Sequence, residues 1–187
     1  KRRFVARMLE QRGHSVTLID SEAYKLPLLD RMFREYDADT APADMTRISK
    51  ALDAADGFVI VSAEYNHSVP AALKNLLDHF QAEYLYKPSA IVTYSAGPFG
   101  GVRALVNLRA ILAELGTPSI PSAFPVSQVH KAFDDEGNAL EESYERRIIK
   151  FLDEYEWYAD ALCRKRRAES CDTALPAQQA LCRGSRN

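Results

Sequence analysis

Two kinds of apolar pattern alternate along this chain, and the alternation limits its fold more than any other feature. Residues 58–61 form an unbroken apolar run, which is typical of strands buried on both faces of a parallel sheet. Residues 90–94 are the next strand candidate, and apolar residues at helical spacing separate the two runs: Leu73, Leu76, Leu77 and Phe80. Strands joined by single helices require right-handed crossovers, so the pattern predicts an α/β fold with helices on both faces of the sheet.

The same patterns predict the remaining elements. Short strands are predicted at residues 16–19 and 122–126, and helices at residues 3–12, 45–52, 105–115 and about 140–162. We expect one domain over residues 1–167 and a disordered C-terminal tail over residues 168–187, where apolar periodicity fades. The basic run Arg164 to Arg167 is interpreted as solvated, as most charge runs are.

Charge and cysteine content exclude several classes of function. The chain has 24 basic and 26 acidic side chains, a balance that gives no support to nucleic-acid or membrane binding. No apolar run approaches the ~18 to 20 residues of a membrane span. The three cysteines, Cys163, Cys171 and Cys182, all lie near the C-terminus, so the body has no disulfide framework and a cytoplasmic location is expected. We predict no metal site, because the histidines are isolated.

Two loops follow neighbouring predicted strands and differ from plain connections. Residues 63–68 come directly after the first apolar run, and residues 95–101 after the second. Ligands of open parallel sheets bind at the carboxyl ends of the strands, where these loops would lie side by side. Glycines allow close backbone approach, while Tyr65 and Phe99 offer aromatic walls and Asn66 both donor and acceptor. The pair of loops suits a flat ligand with polar edges.

The first loop and the helix after it carry a long motif. Residues 64–78 read E-Y-N-H-S-V-P-A-A-L-K-N-L-L-D and closely resemble the E-Y-N-x-S-x-P-x-x-L-K-N-x-x-D signature of the NADPH-dependent FMN reductases, a family that includes quinone, azo-dye and chromate reductases. Residues 100–104, G-G-V-R-A, are similar to the G-G-x-R-A stretch of the same family. The resemblance extends from about residue 3 to about residue 162.

The resemblance implies a flavodoxin-like, doubly wound parallel sheet of five strands in the order 2-1-3-4-5, with FMN at the strand ends and NADPH or NADH as co-substrate. The cofactor-binding residues carried over from the family are Ala63, Glu64, Tyr65, Asn66, Ser95, Ala96, Gly97 and Gly100. Ala63 replaces the proline common at its position. The resemblance also implies a dimer or tetramer, with residues 70–80 near the subunit contact, where Leu73, Asn75 and Asp78 serve assembly or catalysis.

The sequence departs from the family at its start. Lys1 lies inside what should be the first helix, so neither the first strand nor the phosphate-binding loop of the family is present. We expect the natural protein to begin earlier. Without that central strand, the strand at residues 16–19 would have no partner on its inner side.

The predicted function is that of an FMN-dependent NAD(P)H oxidoreductase, which passes hydride from a nicotinamide through FMN to a quinone, azo compound, flavin or oxidised metal. No catalytic side chain is assigned. His67 could donate a proton to a quinone, although a partly exposed loop histidine is the simpler interpretation. The alternatives are a flavodoxin-like electron carrier and a non-catalytic assembly protein that has lost FMN. The sequence identifies neither the acceptor nor a site for the 2′-phosphate of NADPH.

Overall fold

A parallel three-stranded sheet forms the centre of the protein, as seen in a computed structural model that describes residues 2–172. Its strands are β1 (Phe58–Ala63), β2 (Ser89–Tyr94) and β3 (Ser119–Val126), hydrogen-bonded in the order β1-β2-β3. Ala63 pairs with Tyr94, and Tyr94 pairs with Val126. All three strands therefore end at one edge of the sheet, where the loops that follow them come together.

Six α-helices accompany the sheet within the described residues: α1 (Arg2–Gln11), α2 (Ala43–Ala54), α3 (Ala71–Asp78), α4 (Val102–Glu114), α5 (Val129–Ala132) and α6 (Glu142–Asp172). Short 3₁₀ turns occur at Phe33–Glu35 and Ala82–Tyr84. Helices α1 and α6 pack on one face of the sheet, and α2, α3 and α4 on the other. None of the helices in residues 2–172 has the length and apolar character that crossing a membrane requires. The predicted α/β class is confirmed.

The strand predicted at residues 16–19 is wrong. The segment makes no ladder hydrogen bonds with any described residue. The sheet within residues 2–172 has three strands, whereas the expected five-stranded sheet without its first strand has four. Val16 packs against the core on one face and Ile19 against the core on the other, so the segment has strand-like side-chain placement. A strand also needs a hydrogen-bonding neighbour, and no described segment supplies one. The observed order β1-β2-β3 corresponds to the 3-4-5 part of the expected sheet.

The last helix is longer than predicted and includes the basic run. Helix α6 continues to Asp172, whereas the expected end was near residue 162. Contrary to the prediction that the basic run is solvated, Arg166 contacts the protein. Its guanidinium donates to the carbonyl oxygen of Tyr86 at 2.9 Å and to Asp56 Oδ1 at 3.0 Å. Cys163 also donates to Asp56 Oδ1, at 3.0 Å. These contacts attach the end of α6 to the turn before β1. The rest of the predicted tail, residues 173–187 with Cys182, lies outside the described residues.

Candidate functional site

The first loop is a tight turn that presents an aromatic ring to solvent. Tyr65 and Ser68 exchange two backbone hydrogen bonds, each of 2.9 Å. Between them Asn66 and His67 both have positive φ, at 48° and 63°, which defines the type I′ turn of a two-residue hairpin. Asparagine adopts this conformation readily and histidine at a cost of about 1 kcal/mol or more. The turn leaves the Tyr65 side chain exposed, beside the end of β1.

The second loop, residues 95–101, is fixed by hydrogen bonds from both sides. Thr93, in β2, donates its hydroxyl to the carbonyl oxygen of Gly100 at 2.8 Å. Beyond β3, the Ser127 hydroxyl donates to the carbonyl oxygen of Pro98 at 2.7 Å, and the Gln128 N–H donates to that of Gly97 at 2.9 Å. The carbonyl groups of the loop therefore point toward the protein.

The glycines of this loop have different roles. Gly101 has φ of 81°, and a Cβ there would lie 2.9 Å from the Cβ of Thr93. Gly100 has φ of 64°, and its Cβ would lie 3.1 Å from the Cβ of Pro125. Both positions need glycine for conformation and internal packing. A Cβ on Gly97 would meet no atom within 4 Å, so of these three only Gly97 leaves space for an external group.

Glu64 joins the first loop to the helix that follows the second loop. Its Oε2 accepts hydrogen bonds from the N–H groups of Arg103 at 2.9 Å and Ala104 at 3.1 Å, in the first turn of α4. A carboxylate is favoured there by the unpaired N–H groups and the helix dipole. Asn107 adds a second connection, because its Nδ2 donates to the carbonyl oxygen of His67 at 2.9 Å. The predicted proximity of the two loops is confirmed.

Aromatic and charged side chains complete the carboxyl edge of the sheet. The Arg103 guanidinium lies over the ring of Phe99, 5.0 Å from its centre. Burial raises the pKa of the Tyr94 phenol, the nearby Tyr65 phenol raises it further, and Arg2 opposes both effects. Arg2 itself pairs with Asp20 at 2.6 Å. Tyr94 was not among the predicted site residues. Its position at the end of a predicted strand is the sequence feature that could have indicated it.

The predicted cofactor-binding residues fall into two groups. Ala63 is buried at the end of β1, and the Glu64 carboxylate is bound to α4, so these two residues could reach a ligand only through their backbone. Gly100 is also buried and packs against Pro125, so it does not face a ligand. Exposure assigns the remaining positions to the edge. Tyr65, Asn66, Ala96 and Gly97 are exposed, whereas Ser95 is half-buried with its hydroxyl on the carbonyl oxygen of Gly97 at 3.0 Å.

The donors and walls at this edge fit the ring of FMN. Within the described residues, the N–H groups of Ala96 and Gly97 and the Asn66 amide have no hydrogen-bond partner. They can therefore serve the polar edge of a flavin, beside the open space at Gly97. The exposed rings of Tyr65 and Phe99 supply apolar surface on the two loops. No group of three or more histidine, cysteine or acidic side chains within residues 2–172 is placed to bind a metal ion.

The sequence model of the NADPH-dependent FMN reductases matches residues 2–131, and the chain belongs to this family. A similar solved structure is that of FerB, a flavoenzyme NAD(P)H:(acceptor) oxidoreductase from Paracoccus denitrificans. It has 22% identity and a TM-score of 0.67, over 84% of this chain and 88% of that one. At this identity the likeness shows the fold alone, and it supports the flavodoxin-like class inferred from the motifs.

Two curated relatives differ in the acceptors that their names give. The NADH:(hydroxy)cinnamate reductase subunit CrdA of Vibrio ruber is 36% identical over 116 residues, which are 59% of this chain and 57% of that protein. The 2-hydroxy-1,4-benzoquinone reductase of a Burkholderia species is 32% identical over 143 residues, 72% of this chain and 75% of that protein. The chain thus spans less than two thirds of the length of the Vibrio relative.

Proposed function

We propose that the protein is an FMN-dependent NAD(P)H oxidoreductase acting on a small acceptor. The observation that carries this proposal is the pair of loops held together by Glu64 at the carboxyl edge of the sheet, with unpaired N–H groups and open space at Gly97. Bound there, FMN supplies the two-electron redox chemistry, and the protein supplies position and hydrogen bonds.

The two loops supply two kinds of group to this site, polar groups that orient a ring and aromatic side chains that cover it. The N–H groups of Ala96 and Gly97 and the amide of Asn66 are available to orient a ring with alternating donors and acceptors. Tyr65 and Phe99 lie exposed on either loop, where they can exclude water from a flat ligand. Because the loops are tied to α4 and to the end of β3, these groups are oriented before a ligand arrives.

The acceptor that the site suits best is a small aromatic or quinonoid compound. Tyr65 and Phe99 offer ring surfaces, and the Arg103 guanidinium over Phe99 offers a positive charge for an acceptor with an anionic oxygen. The two relatives named for a benzoquinone and a cinnamate agree with such a ligand. Azo compounds, free flavin and oxidised metal ions are the other acceptors to compare in a turnover assay.

Self-association is a further part of the proposal. Ala71 and Ala72 at the start of α3 are exposed, in the region predicted to lie near the subunit contact. Val102 and Val106 also lie exposed, one turn apart on α4. Asn75, by contrast, binds residues of its own chain, with Oδ1 accepting from the Leu29 N–H at 3.0 Å. Light scattering of the full chain and of Val106→Glu tests this surface, because a monomeric parent would contradict it.

An absorbance titration tests the proposed function. Full-length protein is mixed with FMN and then reduced with NADPH without oxygen; flavin bands that shift on binding and bleach on reduction are expected. Bands that bleach without steady-state NADPH oxidation in the presence of any acceptor would instead indicate an electron carrier. Protein that does not bind FMN would contradict the proposal and favour a non-catalytic assembly protein.

Gly97→Ala provides the matched variant for this titration. A methyl group at Gly97 meets no protein atom, so folding stability should be unchanged, whereas a ring seated against the loop should bind at least about tenfold more weakly. Lys50→Gln changes an exposed lysine of α2 and serves as the control for FMN affinity. Equal FMN affinity in Gly97→Ala and the parent would show that FMN does not bind against this loop.

A further inference from the structure

A small cavity lies beyond the end of β3, on the far side of the second loop. Its volume is about 160 Å³ and it is lined by Ser127, Gln128, Lys131, Ala132, Glu141 and Tyr144. Whole ligand pockets usually measure roughly 300–1,000 Å³, so this cavity is too small for a complete dinucleotide. It has the dimensions of one fragment of such a molecule.

The wall of the cavity is also the support of the second loop. The Gln128 N–H donates to the carbonyl oxygen of Gly97, and the Val129 N–H to that of Ser95, at 2.9 and 3.0 Å. Gln128 has φ of 42°, an unfavourable conformation for a residue other than glycine. The strained turn therefore connects the open position at Gly97 directly to the cavity.

The charged groups of the cavity are not used by the protein itself. Within residues 2–172 the Lys131 ammonium makes no ion pair or hydrogen bond, and the contact of the Glu141 carboxylate is with the Ser143 hydroxyl, at 3.1 Å. Neighbouring Arg147 is committed elsewhere, since its guanidinium donates to the carbonyl oxygen of Pro125 at 2.9 Å. One ammonium and one carboxylate thus remain available on the same cavity.

This pair of charges matches a phosphorylated sugar. An ammonium favours a phosphate, and a carboxylate accepts a hydrogen bond from the neighbouring sugar hydroxyl. The hydroxyl of Ser127 donates to the carbonyl oxygen of Pro98, and the Tyr144 phenol donates to the carbonyl oxygen of Ser127 at 3.5 Å, which leaves the Gln128 side-chain amide as a further polar group of the lining. A purely apolar ligand would leave both charges unpaired, and a cationic ligand would be repelled by Lys131.

We propose that this cavity binds the adenosine-side ribose of the nicotinamide dinucleotide, with Lys131 contacting the 2′-phosphate that distinguishes NADPH from NADH. The proposal rests on the proposed function and adds to it that the nicotinamide lies beside the second loop. Gln128 lines the cavity and is hydrogen-bonded to Gly97, so the cavity adjoins the part of the second loop where the nicotinamide would lie. Lys131 is then a specificity residue for the cofactor and takes no part in the redox step.

Calorimetric binding of 2′,5′-ADP and 5′-AMP to the full-length protein tests the assignment without any turnover. The parent should bind 2′,5′-ADP more tightly, and Lys131→Gln should weaken that binding about tenfold while leaving 5′-AMP unchanged. Lys131 is exposed, so its replacement should not disturb folding. Lys50→Gln, which removes an exposed lysine of α2 on the opposite face, is the control and should bind both nucleotides as the parent does.

Kinetics of the FMN-loaded protein supply the second measurement. Lys131→Gln should raise the KM for NADPH about tenfold and leave kcat, the KM for NADH and FMN affinity unchanged. Equal effects on NADPH and NADH, or no effect on 2′,5′-ADP binding, would overturn the assignment. A parent that binds 2′,5′-ADP through Lys131 but does not oxidise NADPH would uphold the cavity assignment and refute the proposed function instead.

Discussion

Glu64→Gln tests whether one carboxylate holds the two loops together. In the parent protein its Oε2 accepts two N–H groups of α4, from Arg103 and Ala104, and its side chain is only 10% exposed. Glutamine keeps the shape and one acceptor oxygen but removes the charge. The variant therefore isolates the charge-assisted part of the contact from the packing of the side chain.

The expected loss follows from the number and type of these hydrogen bonds. Bonds to charged groups contribute about 1.5–3 kcal/mol and neutral ones about 0.5–1.5 kcal/mol. A carboxylate at a helix N-terminus adds about 0.3–1 kcal/mol. The Arg103 guanidinium is 3.8 Å away and partly exposed, so solvent screening makes its contribution small. We expect Glu64→Gln to lower the free energy of unfolding by about 1–2 kcal/mol, and Glu64→Ala by about 2–4 kcal/mol.

Urea unfolding with a matched surface control measures this effect. Glu142→Gln removes a carboxylate from the first turn of α6 that is 88% exposed and paired with Arg146, so it should change the free energy of unfolding by less than about 0.5 kcal/mol. At this chain length the Glu64→Gln loss corresponds to a drop in Tm of roughly 2–8 °C. If Glu64→Gln unfolds within about 0.5 kcal/mol of the parent, the carboxylate does not hold the loops.

Three other changes test contacts away from the cofactor edge. Lys87→Met removes an ammonium that donates to the last carbonyl groups of α2, at 2.7 and 3.0 Å, and should cost about 1–2 kcal/mol in urea unfolding. Gly101→Ala forces a methyl group to 2.9 Å from Thr93 at positive φ; we expect a loss of about 2–4 kcal/mol by the same measurement. Hydrogen bonding from Arg12 holds the pKa of Glu156 below its ordinary 4.5, so the stability that it contributes is complete above that value and disappears as the pH falls through the folded-state pKa. Glu156→Gln should therefore destabilise the protein at about pH 6 and destabilise it progressively less as the pH falls below 4.5, whereas a loss that does not change with pH would contradict the assignment.

Strongly patterned elements were predictable because their apolar residues report burial directly. The unbroken run at residues 58–61 became β1, and the run at residues 90–94 became β2, since a strand covered on both faces has no polar side to interrupt it. The segment at residues 16–19 is also rich in β-branched residues, but within residues 2–172 it has no hydrogen-bonding neighbour. Strand formation depends on that second segment, which local pattern does not report.

The end of α6 was missed for a different reason. A basic run without apolar periodicity is usually solvated, and the sequence contains no local signal that Arg166 meets Asp56 across more than a hundred residues. Helical pairs four residues apart, such as Lys165 with Glu169 at 2.7 Å, support the helix there and could have been noticed. Long-range ion pairs of this kind become visible only when the fold has brought the two segments together.

The motif residues that identify this family divide by the direction in which they face. Glu64, Gly100 and Gly101 face the protein, where they hold α4 and pack against the strands. Tyr65, Asn66 and Gly97 face outward at the ligand edge. Replacing a member of the first group should therefore reduce stability and ligand binding together, because the loop itself would move. Replacing Gly97 should change ligand binding alone, and that separation distinguishes an FMN site from a loop pair that only completes the fold.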